Sequence, residues 1–85
     1  MNGTSRKYST YVLQSLVDHK HYTGLSSDVE KRLKMHNAGK LQSTKKRRPF
    51  ILIYQEVAET LLEARNREKY FKSAAGRRFL KSLKY

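Results

Sequence analysis

A chain of 85 residues without a single cysteine has to hold itself together by burying one small apolar core. Disulfides and thiolate zinc sites are excluded, so any metal must be held by oxygen or imidazole ligands. One domain is expected, because a chain this short cannot build two cores. With 38% apolar and 31% charged residues, the composition is apolar enough to fold and too mixed for a coiled coil or a membrane span. No apolar run reaches bilayer length, and the first seven residues lack the hydrophobic block of a secretory signal. Cytoplasmic residence, with no membrane partner, is the expectation.

Nineteen Lys and Arg face seven Asp and Glu, a net charge of +12. Such a density concentrates polyanions by counterion release and by long-range steering. Solubility alone needs less, and the basic residues are scattered along the chain instead of forming the polar face of one amphipathic helix, which argues against an anionic membrane surface. Phosphate, and with it nucleic acid, is the expected partner. Nothing in the pattern points to a protein partner.

Residues 8–15 and 22–25 are rich in β-branched, aromatic and aliphatic side chains and flank residues 16–20, which include Asp18, the pattern of a β-hairpin. Ser27, with Glu30 three residues on, reads as the capping box of a helix that ends at Asn37-Ala38-Gly39. A basic connection follows, holding Lys45, Lys46, Arg47 and Arg48 before the single proline, Pro49. Residues 50–56 alternate like a third strand, residues 58–74 carry a helical pattern, and after Gly76 a last amphipathic piece holds Phe79, Leu80 and Leu83. No internal repeat or linker interrupts this order.

Two helices carry charge where apolar residues belong. At about 3.6 residues per turn, Val29, Arg32, Leu33 and His36 share a side, which sets a guanidinium and an imidazole at the docking face. Arg32 needs an acidic mate, an escape to solvent, or a ligand; His36 alone reads best as a half-buried, hydrogen-bonded ring. In the next helix Leu61, Ala64, Glu68, Phe71 and Ala75 share a side, so a carboxylate sits among apolar neighbours. Glu68 can pair with Lys72 or Arg65, or it can close on a divalent cation. His19 and His21 lack a third ligand and read as turn residues, while Phe50, Tyr54 and Phe71 read as core. The four basic residues from Lys45 to Arg48 are the candidates for gripping flanking phosphates.

Taken in order, Tyr11, Tyr22-Thr23-Gly24, Arg32 leading to His36-Asn37, Arg47-Arg48-Pro49, Ile53-Tyr54 and Arg67-Glu68-Lys69 resemble the GIY-YIG nuclease family. The match spans about residues 8–83, and the likeness is to small stand-alone bacterial members and to the nuclease domains of excision-repair enzymes. The resemblance implies an α+β fold: a small three-stranded antiparallel sheet flanked by helices in β-β-α-β-α-α order, with the active site on one sheet face. It also implies a divalent-metal-dependent DNA endonuclease of repair or recombination, with one Mg²⁺ or Mn²⁺ ion held by Glu68 and Arg32 on the non-bridging phosphate oxygens. Tyr11 and Tyr22 would orient or deprotonate the attacking water, Tyr22 being the favoured base, and His36 would assist. Two departures stand out: Ser9 and Thr10 replace the glycine and isoleucine of the first motif, and Leu80 stands where some members have an asparagine. A non-catalytic nucleic-acid-binding module and an RNA-directed nuclease are the alternatives.

Overall fold

The computed structural model describes residues 7–83. Strands β1 (Tyr8–Ser15) and β2 (His21–Ser26) form the expected antiparallel hairpin, helix α1 (Val29–Asn37) follows, and β3 (Phe50–Ala58) returns to the far side of β1. Helices α2 (Leu61–Lys72) and α3 (Ala74–Ser82) complete the expected α+β order. The sheet order β2-β1-β3 puts β1 in the middle and leaves β2 on an edge.

Being central, β1 is covered on both faces, which is why Thr10, Tyr11, Val12 and Leu13 are all buried. Strand alternation sends Tyr11 and Leu13 to one face, where they pack with Val29 of α1 and with Phe50. Val12 faces the opposite way and packs with Phe71 of α2 and Leu80 of α3. The sheet thus separates α1 from the α2–α3 pair. Thr10 adds a specific tie: its hydroxyl donates to the Ala64 carbonyl of α2 at 2.8 Å, a buried bond that an isoleucine there could not make.

Helix α1 is capped one residue later than the Ser27–Glu30 pattern suggests. The Asp28 carboxylate accepts from the Lys31 amide at 3.1 Å, while the Ser26 hydroxyl accepts from the Asp28 amide at 2.9 Å. A carboxylate also complements the positive end of the helix dipole, which favours Asp28 over its serine neighbours. The far end is as expected, with Gly39 at φ 76°. The next helical stretch breaks at Ser73, not at Gly76: the Ser73 hydroxyl donates to the Tyr70 carbonyl at 2.5 Å and caps α3 by accepting from the Gly76 amide at 3.2 Å. Leu80 therefore lies on a different helix from Glu68 and fills the core at 1% exposure.

The basic connection is anchored to the hairpin bend. A short 3₁₀ turn, Lys45–Arg47, presents Arg47 to Asp18, with Nε to Oδ2 at 2.9 Å, and Ser15 donates its hydroxyl to the Arg47 carbonyl at 2.6 Å. Arg47 holds the Asp18 carboxyl at a pKa of about 2. Arg48 is extended, at ψ 155°, as a residue before proline must be.

Candidate active site

Antiparallel register places Tyr11 opposite Gly24 and Leu13 opposite Tyr22. Both tyrosines consequently share the α1 face, their rings 6.4 Å apart. Gly24 is the seat of the Tyr11 ring: a Cβ at that position would stand 2.7 Å from the Tyr11 hydroxyl oxygen and 2.8 Å from Cζ. The Tyr-Thr-Gly spacing has a geometric cause. Tyrosine and glycine on β2 must alternate so that one ring can stand and the other can lie across bare backbone.

His36 sits behind this pair with no exposed surface. Its Nε2 lies 2.9 Å from the Tyr11 hydroxyl and its Nδ1 lies 2.8 Å from Thr44 Oγ1, and its ring packs edge-on to Tyr22 at 5.0 Å. Burial, helped by Tyr22, pushes the Tyr11 pKa well above its ordinary value, and the opposing pull of Arg32 does not reverse this. Tyr11 therefore keeps its proton, and its hydroxyl and Thr44 Oγ1 engage the two ring nitrogens of His36. Burial and the Arg32 charge both lower the His36 pKa, which keeps the ring neutral. For Tyr11, loss of water outweighs the pull of Arg32. With both nitrogens engaged, His36 orients Tyr11.

That arrangement carries a pH signature. Because the folded pKa of His36 lies below the unfolded value of 6.5, the unfolded chain binds the extra proton, so its contribution to stability is full above about pH 6.5 and is lost as pH falls through the folded value. His21, also lowered by burial and by Lys81, acts in the same sense. Chemical denaturation across this range is expected to show stability falling with acid, and His36→Gln is expected to flatten the slope to what His21 leaves. An unchanged slope would show that His36 does not carry the effect.

Arg32 is half-buried on the same face, close enough to influence both Tyr11 and His36, and among the described residues it has no acidic partner. With Lys31, Met35 and Ser26 it borders a recess beside the N-terminus of α1. Glu68 comes from the other side of the sheet, since α2 packs on the Val12 face, so the expectation of a site on a single face is corrected. The carboxylate still acts on the Tyr11 hydroxyl, as the weakest of the four influences on it. Glu68 pairs with Lys72 at 3.1 Å, its side chain 22% exposed. Among the described residues no group of three or more His, Asp or Glu is placed to hold a metal ion.

Of the basic run, Lys45, Lys46 and Arg48 are exposed. Arg47 is committed to Asp18 and lies over the Phe50 ring, and the Arg48 guanidinium lies beside Gly39. A more concentrated positive surface lies elsewhere, in a recess of about 670 Å³ at the β2 edge where Lys20 meets Lys72, Arg77 and Lys81. Sequence reading does not group these four, naming only Lys72 and that as a partner for Glu68, because they are scattered; only the meeting of the hairpin with α2 and α3 collects them. Thr44 was missed for a similar reason, being a lone hydroxyl in a connection, buried by its bond to His36.

A hairpin with a tyrosine on each strand, backed by an arginine-bearing helix, is the frame of a small nuclease-like α+β domain. The fold is similar to the solution NMR structure of a UPF0213 protein from Bacillus halodurans, with a TM-score of 0.55 and 33% identity, covering 92% of this chain and 85% of that one. The chain belongs to the GIY-YIG family, whose catalytic-domain model matches residues 7–81. It is also similar to a UPF0213 protein of Staphylococcus haemolyticus, 38% identical over 91% of this chain and 94% of the relative. Another UPF0213 protein, from Streptococcus pyogenes serotype M3, is 43% identical over 81% of this chain and 75% of the relative.

Proposed function

We propose that this domain binds nucleic acid by its phosphates, with Arg32 gripping one of them beside Tyr11. The observation that carries the reading is the half-buried Arg32 guanidinium, which has no acidic partner among the described residues in a chain of net charge +12. A planar fork held without a carboxylate is suited to two phosphate oxygens at once.

Phosphodiester cleavage is the finer reading, favoured by the family's catalytic-domain match over residues 7–81 and by the presence of Tyr11, Tyr22, Arg32 and Glu68 in its order. One carboxylate matches magnesium, which keeps most of its water and shares a substrate phosphate, and does not match an all-protein metal cage. Glu68 would hold that ion after leaving Lys72, and the bound ion would offset phosphate and leaving-group charge. Arg32 would hold the non-bridging oxygens and Tyr22 would orient the water. Tyr11, proton retained, would fix the geometry. The pairing of Glu68 with Lys72 favours binding without cleavage while that bond persists.

The test is a panel of labelled DNA duplexes, branched DNA and single-stranded RNA, with Mg²⁺, Mn²⁺ or chelator. Salt-sensitive binding to the panel is expected, with cutting of DNA only when the cation is present. Binding with no product under any condition would leave the binding module standing and remove the nuclease. Cutting of RNA in chelator would replace it with a metal-independent ribonuclease.

A further inference from the structure

The recess at the β2 edge has a lining unlike that of a plain electrostatic patch. Lys20, Lys72, Arg77 and Lys81 border it together with four ring-bearing residues, His19, His21, Tyr22 and Phe71, and no carboxylate lines it. At about 670 Å³ it falls within the roughly 300–1,000 Å³ of clefts that enclose a compact ligand. Tyr22 belongs both to this recess and to the ring cluster with Tyr11 and His36, so the two sites share a wall.

Cations alone would serve a duplex, whose phosphates face outward and whose bases are stacked away from protein rings. Rings grouped with cations in a concave site serve a strand whose base can turn outward, since every base offers a face to an aromatic side chain while its phosphate meets a positive charge. Resting on the phosphate-binding reading above, we infer that this recess seats an unpaired nucleotide next to the phosphate held at Arg32, so that the preferred substrate has a single-stranded segment joined to a duplex. Lys81 stands close enough to act on His21, and burial keeps that imidazole neutral, as a stacking surface among lysines should be.

The experiment measures affinity for a blunt duplex, for the same duplex with a single-stranded tail, and for a free mononucleotide. A fluorescent purine analogue in the tail reports stacking. The wild-type chain is expected to bind the tailed duplex about tenfold tighter than the blunt one, with the analogue quenched. Arg77→Gln with Lys81→Gln, both on the exposed side of α3, is expected to erase that preference and to lower the salt slope by about 1.4, two cations at roughly 0.7 each on a single strand. Lys34→Gln with Lys40→Gln removes equal charge elsewhere and should keep preference and quenching. Equal binding of blunt and tailed duplex, or equal loss in both double variants, would overturn the inference and leave phosphate binding intact. Saturation by the mononucleotide without competition from the tail would overturn the strand reading in favour of a free nucleotide. Failure to bind any nucleic acid would remove both this inference and the function it rests on.

Discussion

Gly76→Ala is expected to destabilise the domain by about 3 kcal/mol, the upper end of overpacking costs. For a domain of this size that lowers the melting temperature by roughly 10–25 °C. Gly76 is buried in the first turn of α3, where a Cβ would stand 2.6 Å from Phe71 Cα and closer still to the Tyr70 carbonyl oxygen. Both are backbone atoms of α2, so neither can swing aside. Relief requires α3 to lift away, and that lift withdraws Leu80 from Val12 and Phe71. Gly39→Ala is the contrasting case. There a Cβ would meet the Arg48 guanidinium at 2.5 Å, but that group ends a flexible side chain, and the remaining cost is the positive φ of 76°, about 1–2 kcal/mol. Thermal melts of the two variants should differ accordingly. Equal shifts would mean that the α2–α3 contact yields easily.

The contrast between the glycines marks what could be read from residue order. Gly39 announces itself, because a glycine after a helical pattern is the ordinary sign of a left-handed cap. Gly76 misleads, because a glycine inside a helical pattern suggests a break, and only the approach of one helix to another shows it to be a packing residue. The break itself falls on Ser73, which lies within a continuous helical pattern. At the start of α1 the run Ser26-Ser27-Asp28 contains three capable caps, and residue type alone does not choose among them. Strand alternation, by contrast, was legible enough to predict the hairpin, the third strand and the order of elements.

The candidate site divides along the same line. Tyr11, Tyr22, Arg32 and His36 belong to neighbouring elements whose local geometry, period two on the strands and 3.6 on the helix, sends them to one face. Glu68 belongs to a helix on the other face, and which face a helix covers is a fact of topology that local period does not contain. The pairing of Arg47 with Asp18 is likewise long-range and removes from the surface a charge that the four-residue basic run had promised. Neither local period nor composition contains such contacts. The ordinary reading of Glu68, an ion pair with Lys72 at the i,i+4 spacing, is present as well, and it sets the terms of the last expected result.

Glu68→Gln is expected to lower metal-dependent cleavage by roughly 10²–10³-fold, the order of loss when one preorganised electrostatic contact to a transition state is removed. Affinity for nucleic acid should hold or rise, since the substitution deletes a negative charge and releases Lys72 into the recess where Arg77 and Lys81 already lie. Stability should change little, because an exposed i,i+4 pair contributes only about 0.3–0.5 kcal/mol. Opposite movement of cutting and binding is the signature of a carboxylate that works on the reaction and not on docking. Arg32→Lys separates the companion role: it keeps the charge, so binding should fall less than about threefold, while loss of the planar fork should lower cleavage nearly as far. Single-turnover cleavage and equilibrium binding on one substrate read all four quantities. Parallel loss of cutting and affinity in Glu68→Gln would place the carboxylate in docking, and unchanged cutting would leave Glu68 as the helix-surface partner of Lys72 alone.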